Sequence, residues 1–277
     1  MKKGKFIAVI CTVTVCALAV LTPVYFYQQS EAKQNIGTVS SQDASSAADD
    51  TEEVVRQPLA AETAEKMAAI NSDYVGYVSI PDVFSEAVVQ TTDNEFYLNH
   101  DFYGETNACG TIFADFRNVI GDNADSQSDN IILYGHNQND GTMFGNMDFY
   151  TQDHSYWLSN PFIYFDSLSE SSVYVIVSSF VVNTNSDDGY VFDYNNYIDF
   201  ADSGTYTFEN FKKEITERSD FTTGLDIDES DKFLTLSTAA YGSEPSRHVI
   251  VARKLRDGET ADNIDMTKFT VKEYNGV

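Results

Sequence analysis

Positive charge and cysteine are scarce in this chain, and each scarcity removes a class of explanation. Lysine and arginine together number 17 against 43 aspartates and glutamates, a formal net charge of −26. A surface of that sign repels phosphate backbones, which excludes nucleic-acid binding and leaves either a well-hydrated acidic surface or recognition of basic peptides. Of the three cysteines, Cys11 and Cys16 fall inside an apolar run and Cys109 stands alone beyond it. A lone cysteine closes no internal disulfide, so the fold must rest on its core. The signatures HExxH, paired CxxC, GxSxG, the Walker loop and GxGxxG are all missing. The Asp-rich stretches GDNADSQSDN and NTNSDDG lack the glycine and terminal glutamate of an EF-hand loop and read as solvated acidic loops. No metal and no organic cofactor is expected.

Apolar and aromatic residues make up 42% and 13% of the chain, enough for a substantial core. The most legible segment is residues 6–27, FIAVICTVTVCALAVLTPVYFY, an uncharged run long enough as a helix (roughly 33 Å) to cross a bilayer's hydrocarbon. Lys2, Lys3 and Lys5 precede it and every acidic residue follows it. That asymmetry predicts a cytoplasmic tail over 1–5, an uncleaved transmembrane anchor over 6–27 and export of the remainder to the outer face of the cell membrane. Residues 28–57, rich in Ser, Ala, Gln, Asp and Glu without apolar periodicity, read as a flexible stalk.

From residue 58 to 277 the pattern is that of one mainly-β domain. A short amphipathic helix is expected over 58–71, with Ala60, Ala64, Met67 and Ile70 on one stripe, and another over Thr207 to Arg218. Between and after them lie YVGYVSI, EAVVQ, NIILYGH, VYVIVSSFVV, DKFLTLST and RHVIVARKL, short β-branched and aromatic runs that favour strands. A closed barrel or sandwich with a few helices follows.

Two segments carry candidate chemistry. In DNIILYGHNQNDGTMFG a strand runs into His136, which is thereby held firmly yet accessible, as a general acid or base must be. The alternative is a structural histidine bonded near a strand end. In DKFLTLSTAAYGSEPSRHVIVARKL two strands flank a short loop, and Arg247 opens the second, eight residues after Ala239. Such an arginine can donate to a developing oxyanion; equally, it can be a surface salt-bridge partner. A third segment, CGTIFADFRN, reads as core strand and turn with no chemistry of its own.

The order VGYVSIP, DNEFYLN, GTIFADFRN, NIILYGHN, GTMFG, TLST, RHVIV resembles the class B sortases, cysteine transpeptidases of the Gram-positive cell surface, over residues 58–255. The resemblance implies an eight-stranded β-barrel with an N-terminal helix and further peripheral helices. It also implies a Cys–His–Arg site that cleaves a sorting-signal peptide and passes the acyl group to an amine, from peptidoglycan precursor or a pilin lysine. His136 and Arg247 match the family's histidine and arginine. Ser237 and Thr238 match the residues before the nucleophile, and Asn94, Leu98 and Tyr134 fall where the peptide groove is lined. A backbone N–H near Ala240 would join Arg247 at the oxyanion. One position departs: the family has cysteine directly after TLST, and this chain has Ala239. A methyl group has no lone pair with which to attack a carbonyl, so the chain is expected to be inactive. An engineered Cys-to-Ala change and a natural pseudo-sortase that binds sorting signals without cleaving them both fit. A structural wall or adhesin domain, the remaining rival, predicts that His136 and Arg247 lie far apart.

Overall fold

The computed structural model describes residues 58–121, 126–240 and 245–272. The cytoplasmic tail, anchor and stalk read over residues 1–57 lie outside them, and no helix among the described residues is long and apolar enough to cross a membrane.

The first element is helix α1 (Ala61–Ile70), three residues shorter at its start than the sequence pattern suggested. Its apolar stripe is also narrower: Met67 is buried and Ala64 half-buried, whereas Ala60 is exposed and Ile70 is 56% exposed. Glu62 favours the positive N-terminal end of the helix and pairs with Lys66 one turn on at 2.7 Å. At the other end Asn71 donates from Nδ2 to the Tyr97 hydroxyl and the Phe102 carbonyl, both at 2.8 Å.

Strands β1 (Tyr74–Ile80), β2 (Phe84–Val89), β3 (Ile112–Ala114), β4 (Asn130–Tyr134), β5 (Phe162–Ser167), β6 (Ser171–Asn183), β8 (Phe233–Ala239) and β9 (Ser246–Lys254) close a barrel in the order β1-β2-β3-β4-β8-β9-β6-β5. A mainly-β chain with a closed eight-stranded barrel is thus what the alternating runs produce. The strands β7 (Phe221–Thr222) and β10 (Thr270–Val271) form a separate two-stranded sheet. Most barrel neighbours run antiparallel, but β2 pairs with β3, and β4 with β8, in parallel.

Why β4, β8 and β9 are nearly continuous apolar runs follows from their two-sided burial. Ile131, Leu133, Leu234, Leu236, Ile250 and Ala252 fill the barrel interior. Phe233, Val249 and Val251 face outward instead, under helix α4 (Phe208–Arg218), which sets Phe208, Phe211 and Ile215 against them. Burying each of those side chains is worth about 1.5–3 kcal/mol. The Thr207 side chain caps α4 by accepting from the Asn210 N–H at 3.3 Å. Two short helices, α2 (Phe149–Gln152) and α3 (His154–Ser159), cover one barrel end and deliver the fully buried Trp157 onto Phe221 and Phe269.

Candidate active site

The parallel register of β4 on β8 builds the site. Tyr134 lies beside Ser237, and Gly135 donates its N–H to the Ser237 carbonyl at 3.2 Å. Continuing that register by two residues sets His136 beside Ala239. On the far side, β9 runs antiparallel to β8 with Arg247 directly opposite Ala239. The three positions therefore form a row across adjacent strands spaced about 4.8 Å apart, with side chains on one face. All three are half-buried, while the alternate neighbours Thr238 and His248 are buried. The adhesin reading required His136 and Arg247 to be distant, and this row overturns it.

His136 is held at both ends of its peptide. Its carbonyl accepts from the Phe144 N–H at 3.1 Å, and Asn137 continues the ladder with its side chain, Nδ2 donating to the Ala239 carbonyl at 2.9 Å. Glycine is required just before it, because a Cβ on Gly135 would come within 2.8 Å of Phe144 Cδ2. The ring Nε2 lies 2.8 Å from the Leu98 carbonyl. A carbonyl only accepts, so Nε2 carries the proton and Nδ1 is the basic nitrogen of the neutral ring. Gly110 packs against the same ring from the side: a Cβ there would lie 3.2 Å from His136 Cδ2, and its φ of +65° also suits glycine. The exposed Cys109 is thus on a turn that passes the histidine, although the two are far apart in sequence.

Arg247 makes one hydrogen bond among the described residues, from its guanidinium to the Ser246 carbonyl at 3.2 Å, and no carboxylate pairs with it there. The salt-bridge alternative finds no partner among the described residues. Its charge is felt instead by the buried Tyr194 hydroxyl. Burial raises the Tyr194 pKa, while the bond to Ser237 and the positive charge of Arg247 pull the other way.

The expected groove residues divide by how their polar groups are used. Leu98 is 42% exposed on a 3-10 turn and available to a ligand. Asn94 is half-buried with its amide turned inward: Nδ2 donates to Asp115 at 3.0 Å and Oδ1 accepts from the Phe116 N–H at 2.9 Å. Tyr134 packs on Phe113 with ring centroids 5.3 Å apart and donates its hydroxyl to Asp115 at 2.9 Å. Ser237 is buried with its hydroxyl 2.6 Å from that of Tyr194. Thr238 is buried too, its hydroxyl without a hydrogen-bond partner among the described residues. The N–H of Ala240 donates to the Ser246 carbonyl at 3.1 Å as the next rung of the β8–β9 ladder. That N–H is therefore engaged within the ladder.

The segment CGTIFADFRN, read as devoid of chemistry, supplies the charged support of this wall. Asp115 is fully buried and takes a two-pronged contact from Arg117 (Nε 2.9 Å, Nη2 2.8 Å) besides those from Tyr134 and Asn94. Burial works to raise its carboxyl pKa, but the bonds from Arg117 and Tyr134 outweigh it and hold the group below the ordinary aspartate value. Burial and the Asp115 charge together push the Tyr134 phenol well above its usual range.

With this geometry in hand, relatives can be compared. No family model matches the chain. It is 30% identical over 195 residues to sortase B of Staphylococcus aureus, a match covering 69% of this chain and 74% of that protein. The chain belongs to the sortase B family. Sortase B of Listeria monocytogenes is 30% identical over 171 residues, covering 61% of this chain but 63% of that protein, less than two thirds of its length. In three dimensions the S. aureus sortase B–substrate complex superposes with a TM-score of 0.58 at 29% identity, over 70% of this chain and 85% of the other. The barrel of this sortase B relative is therefore the family's, with Ala239 and Arg247 on its adjoining strands β8 and β9 and His136 two residues beyond the end of β4.

Proposed function

We propose that this chain is a membrane-anchored sortase B scaffold that binds a sorting-signal peptide over the face bearing Leu98 and Tyr134, and that lacks transpeptidase activity because position 239 carries a methyl group. The observation that carries the reading is the row itself. Among the described residues, a histidine with no partner on its basic nitrogen and an arginine without a carboxylate partner flank position 239, where a thiol would face both.

With cysteine at 239, the thiolate would attack the carbonyl of the signal's threonine and form a thioester, releasing an amine that His136 protonates. His136 would then take the proton of the incoming primary amine, from peptidoglycan precursor or a pilin lysine, as it resolves the thioester. Arg247 would stabilise the oxyanion in both steps, with an N–H following Ala240 as a second donor. The retention of every surrounding group supports an engineered Cys-to-Ala change. That S. aureus sortase B is solved as a substrate complex supports a peptide as the ligand. The apolar run over 6–27 behind three lysines supports anchoring with the N-terminus inside and the barrel outside.

The test is the full chain carrying Ala239→Cys, incubated with a panel of sorting-signal peptides and primary amines and followed by intact mass. A thioester at 239 that resolves onto an amine establishes the transpeptidase and identifies its substrate. If no peptide acylates the thiol while the Ala239 chain still binds one, a pseudo-sortase is the correct reading and the catalytic one is lost.

A further inference from the structure

A chain of hydrogen bonds runs beneath the site from one strand to the next, and its centre is Asp148, the residue just before α2. Asp148 Oδ2 accepts from Asn137 Nδ2 at 3.0 Å, and the second N–H of that same amide goes to the Ala239 carbonyl at 2.9 Å. The other carboxylate oxygen, Oδ1, lies 3.2 Å from His248 Nδ1, while His248 Nε2 lies 2.9 Å from the Ser179 hydroxyl. An ionised carboxylate only accepts, so Nδ1 of His248 carries a proton, and in the neutral ring Nε2 accepts from Ser179. The orientation of the Asn137 amide is fixed in the same way, since its nitrogen stands between two acceptors.

Where these contacts fall is the informative part. Asn137 follows His136, His248 follows Arg247, and the carbonyl held between them belongs to position 239. One carboxylate thus ties together the backbones that carry all three members of the row. The order Asp148–His248–Ser179 resembles that of a hydrolytic triad, but Ser179 and His248 are fully buried in the barrel wall and no substrate carbonyl could reach the hydroxyl. Its role is geometric.

We infer that Asp148 is a positioning residue of the transpeptidase site, fixing His136 and Arg247 relative to position 239 through Asn137 and His248. The inference rests on the proposed sortase reading for its purpose, but not for its geometry. Asparagine at 148 has one acceptor oxygen in place of two. It can keep Asn137 only by offering its N–H₂ to His248, which forces that ring into the opposite tautomer, and it brings no negative charge to either contact, so the row loosens without a change of volume. A misplacement of about 1 Å at a reacting group is enough to cost on the order of a hundredfold in rate.

The experiment uses the full chain with Ala239→Cys, alkylated by iodoacetamide across a pH series, with modification at residue 239 read by peptide mass spectrometry so that Cys11, Cys16 and Cys109 do not enter. The Arg247 guanidinium opposite residue 239 favours the thiolate, so the midpoint of the profile reports how closely the row is held. Adding Asp148→Asn is expected to raise the midpoint of the profile by about half a pH unit or more, in a protein that still melts cooperatively. Asn137→Ala removes the next link and must shift the midpoint the same way, which keeps the inference testable should the first variant fold poorly. A merely structural tie lowers the melting temperature and leaves the midpoint in place; that result in either folded variant overturns the proposal. Sorting-signal peptides are offered to the same proteins in parallel. A shifted midpoint with no acylation by any peptide removes the sortase reading and retains Asp148 as a positioning residue. Acylation with an unshifted midpoint does the reverse.

Discussion

Ala239 and Arg247 face each other across the β8–β9 ladder, with the guanidinium bonded only to the neighbouring Ser246 carbonyl among the described residues. An arginine that no carboxylate of the described residues pairs is poised for an anion that develops on substrate. In the Ala239→Cys chain, Arg247→Lys and Arg247→Ala are expected to lower kcat by about 10²–10³-fold, the cost of removing one oxyanion donor, with a smaller effect on KM. Lysine should rescue little, because a point charge on a flexible stem does not reproduce the planar fork. Steady-state kinetics of the three proteins decide it, and a lysine variant as fast as arginine would show that charge alone is used.

Asp115 holds the wall of the groove, and its replacement should be felt as stability. Asp115→Asn leaves Arg117, Tyr134 and Asn94 donating toward a group that can no longer satisfy them all, which is expected to cost about 2–4 kcal/mol. The melting temperature should fall by about 5 °C or more. The folded pKa of Asp115 lies below its unfolded value, so the folded state binds fewer protons. Its contribution is present above the ordinary aspartate value and is lost as pH falls through the folded value. The gap between the two proteins should accordingly be wide at neutral pH and narrow once pH drops below about 4. Thermal melts at two pH values measure it.

Much of this was readable from residues, and the parts that were not have a common cause. YVGYVSI became β1 residue for residue, and the Thr207 cap with its Phe208–Phe211–Ile215 stripe marked α4, since both have a strong local period. The helices α2 and α3 went unread because four and six residues hold too little period to distinguish them from loop. His136, Ala239 and Arg247 were visible as strand-end residues. Asp115, Asn137, Asp148 and Gly110 were not, because their roles come from partners up to about a hundred positions away. Asn137 had the best signal, as an amide immediately after a strand-end histidine. The engagement of the Ala240 N–H in the ladder and of the Ser237 hydroxyl with Tyr194 was not legible for the same reason, since both partners lie on other elements.

Glu86 offers a pH effect away from the site. It pairs with Val78 on β1 and alternates with Val88, which lies in the barrel interior, so its carboxyl points inward and burial raises its pKa to about 7. For an acid whose folded pKa is raised, the folded state binds the extra proton. The associated stability is full below the unfolded value near 4.5 and is lost as pH rises through about 7. Glu86→Gln mimics the neutral form. It should leave the melting temperature nearly unchanged at pH 4 and raise it at pH 8, by an amount corresponding to up to about 2 kcal/mol. Equal melting temperatures at both pH values would show that the carboxyl is solvated in the folded state.

The turn at Gly110 should couple stability to the site. Its φ of +65° lies in the left-handed region, and an added Cβ would meet the Tyr97 carbonyl at 2.6 Å, the Leu98 carbonyl at 2.9 Å and His136 Cδ2 at 3.2 Å. The first two are backbone atoms of the 3-10 turn that presents Leu98, so they cannot rotate aside as a side chain would. Gly110→Ala must then displace either the 107–110 turn or the Leu98 carbonyl that accepts from His136 Nε2. Strain of about 1–3 kcal/mol is expected, lowering the melting temperature by several degrees. In the Ala239→Cys background, displacement of the Leu98 carbonyl would break the bond that fixes the His136 tautomer, so kcat should fall further than stability alone explains. Histidine NMR checks the tautomer directly: the Nε2-protonated form should dominate at neutral ring charge with glycine at 110, and the two forms should approach balance with alanine. A variant with reduced stability but unchanged tautomer and kcat would show that the Leu98 carbonyl follows the ring rather than fixing it.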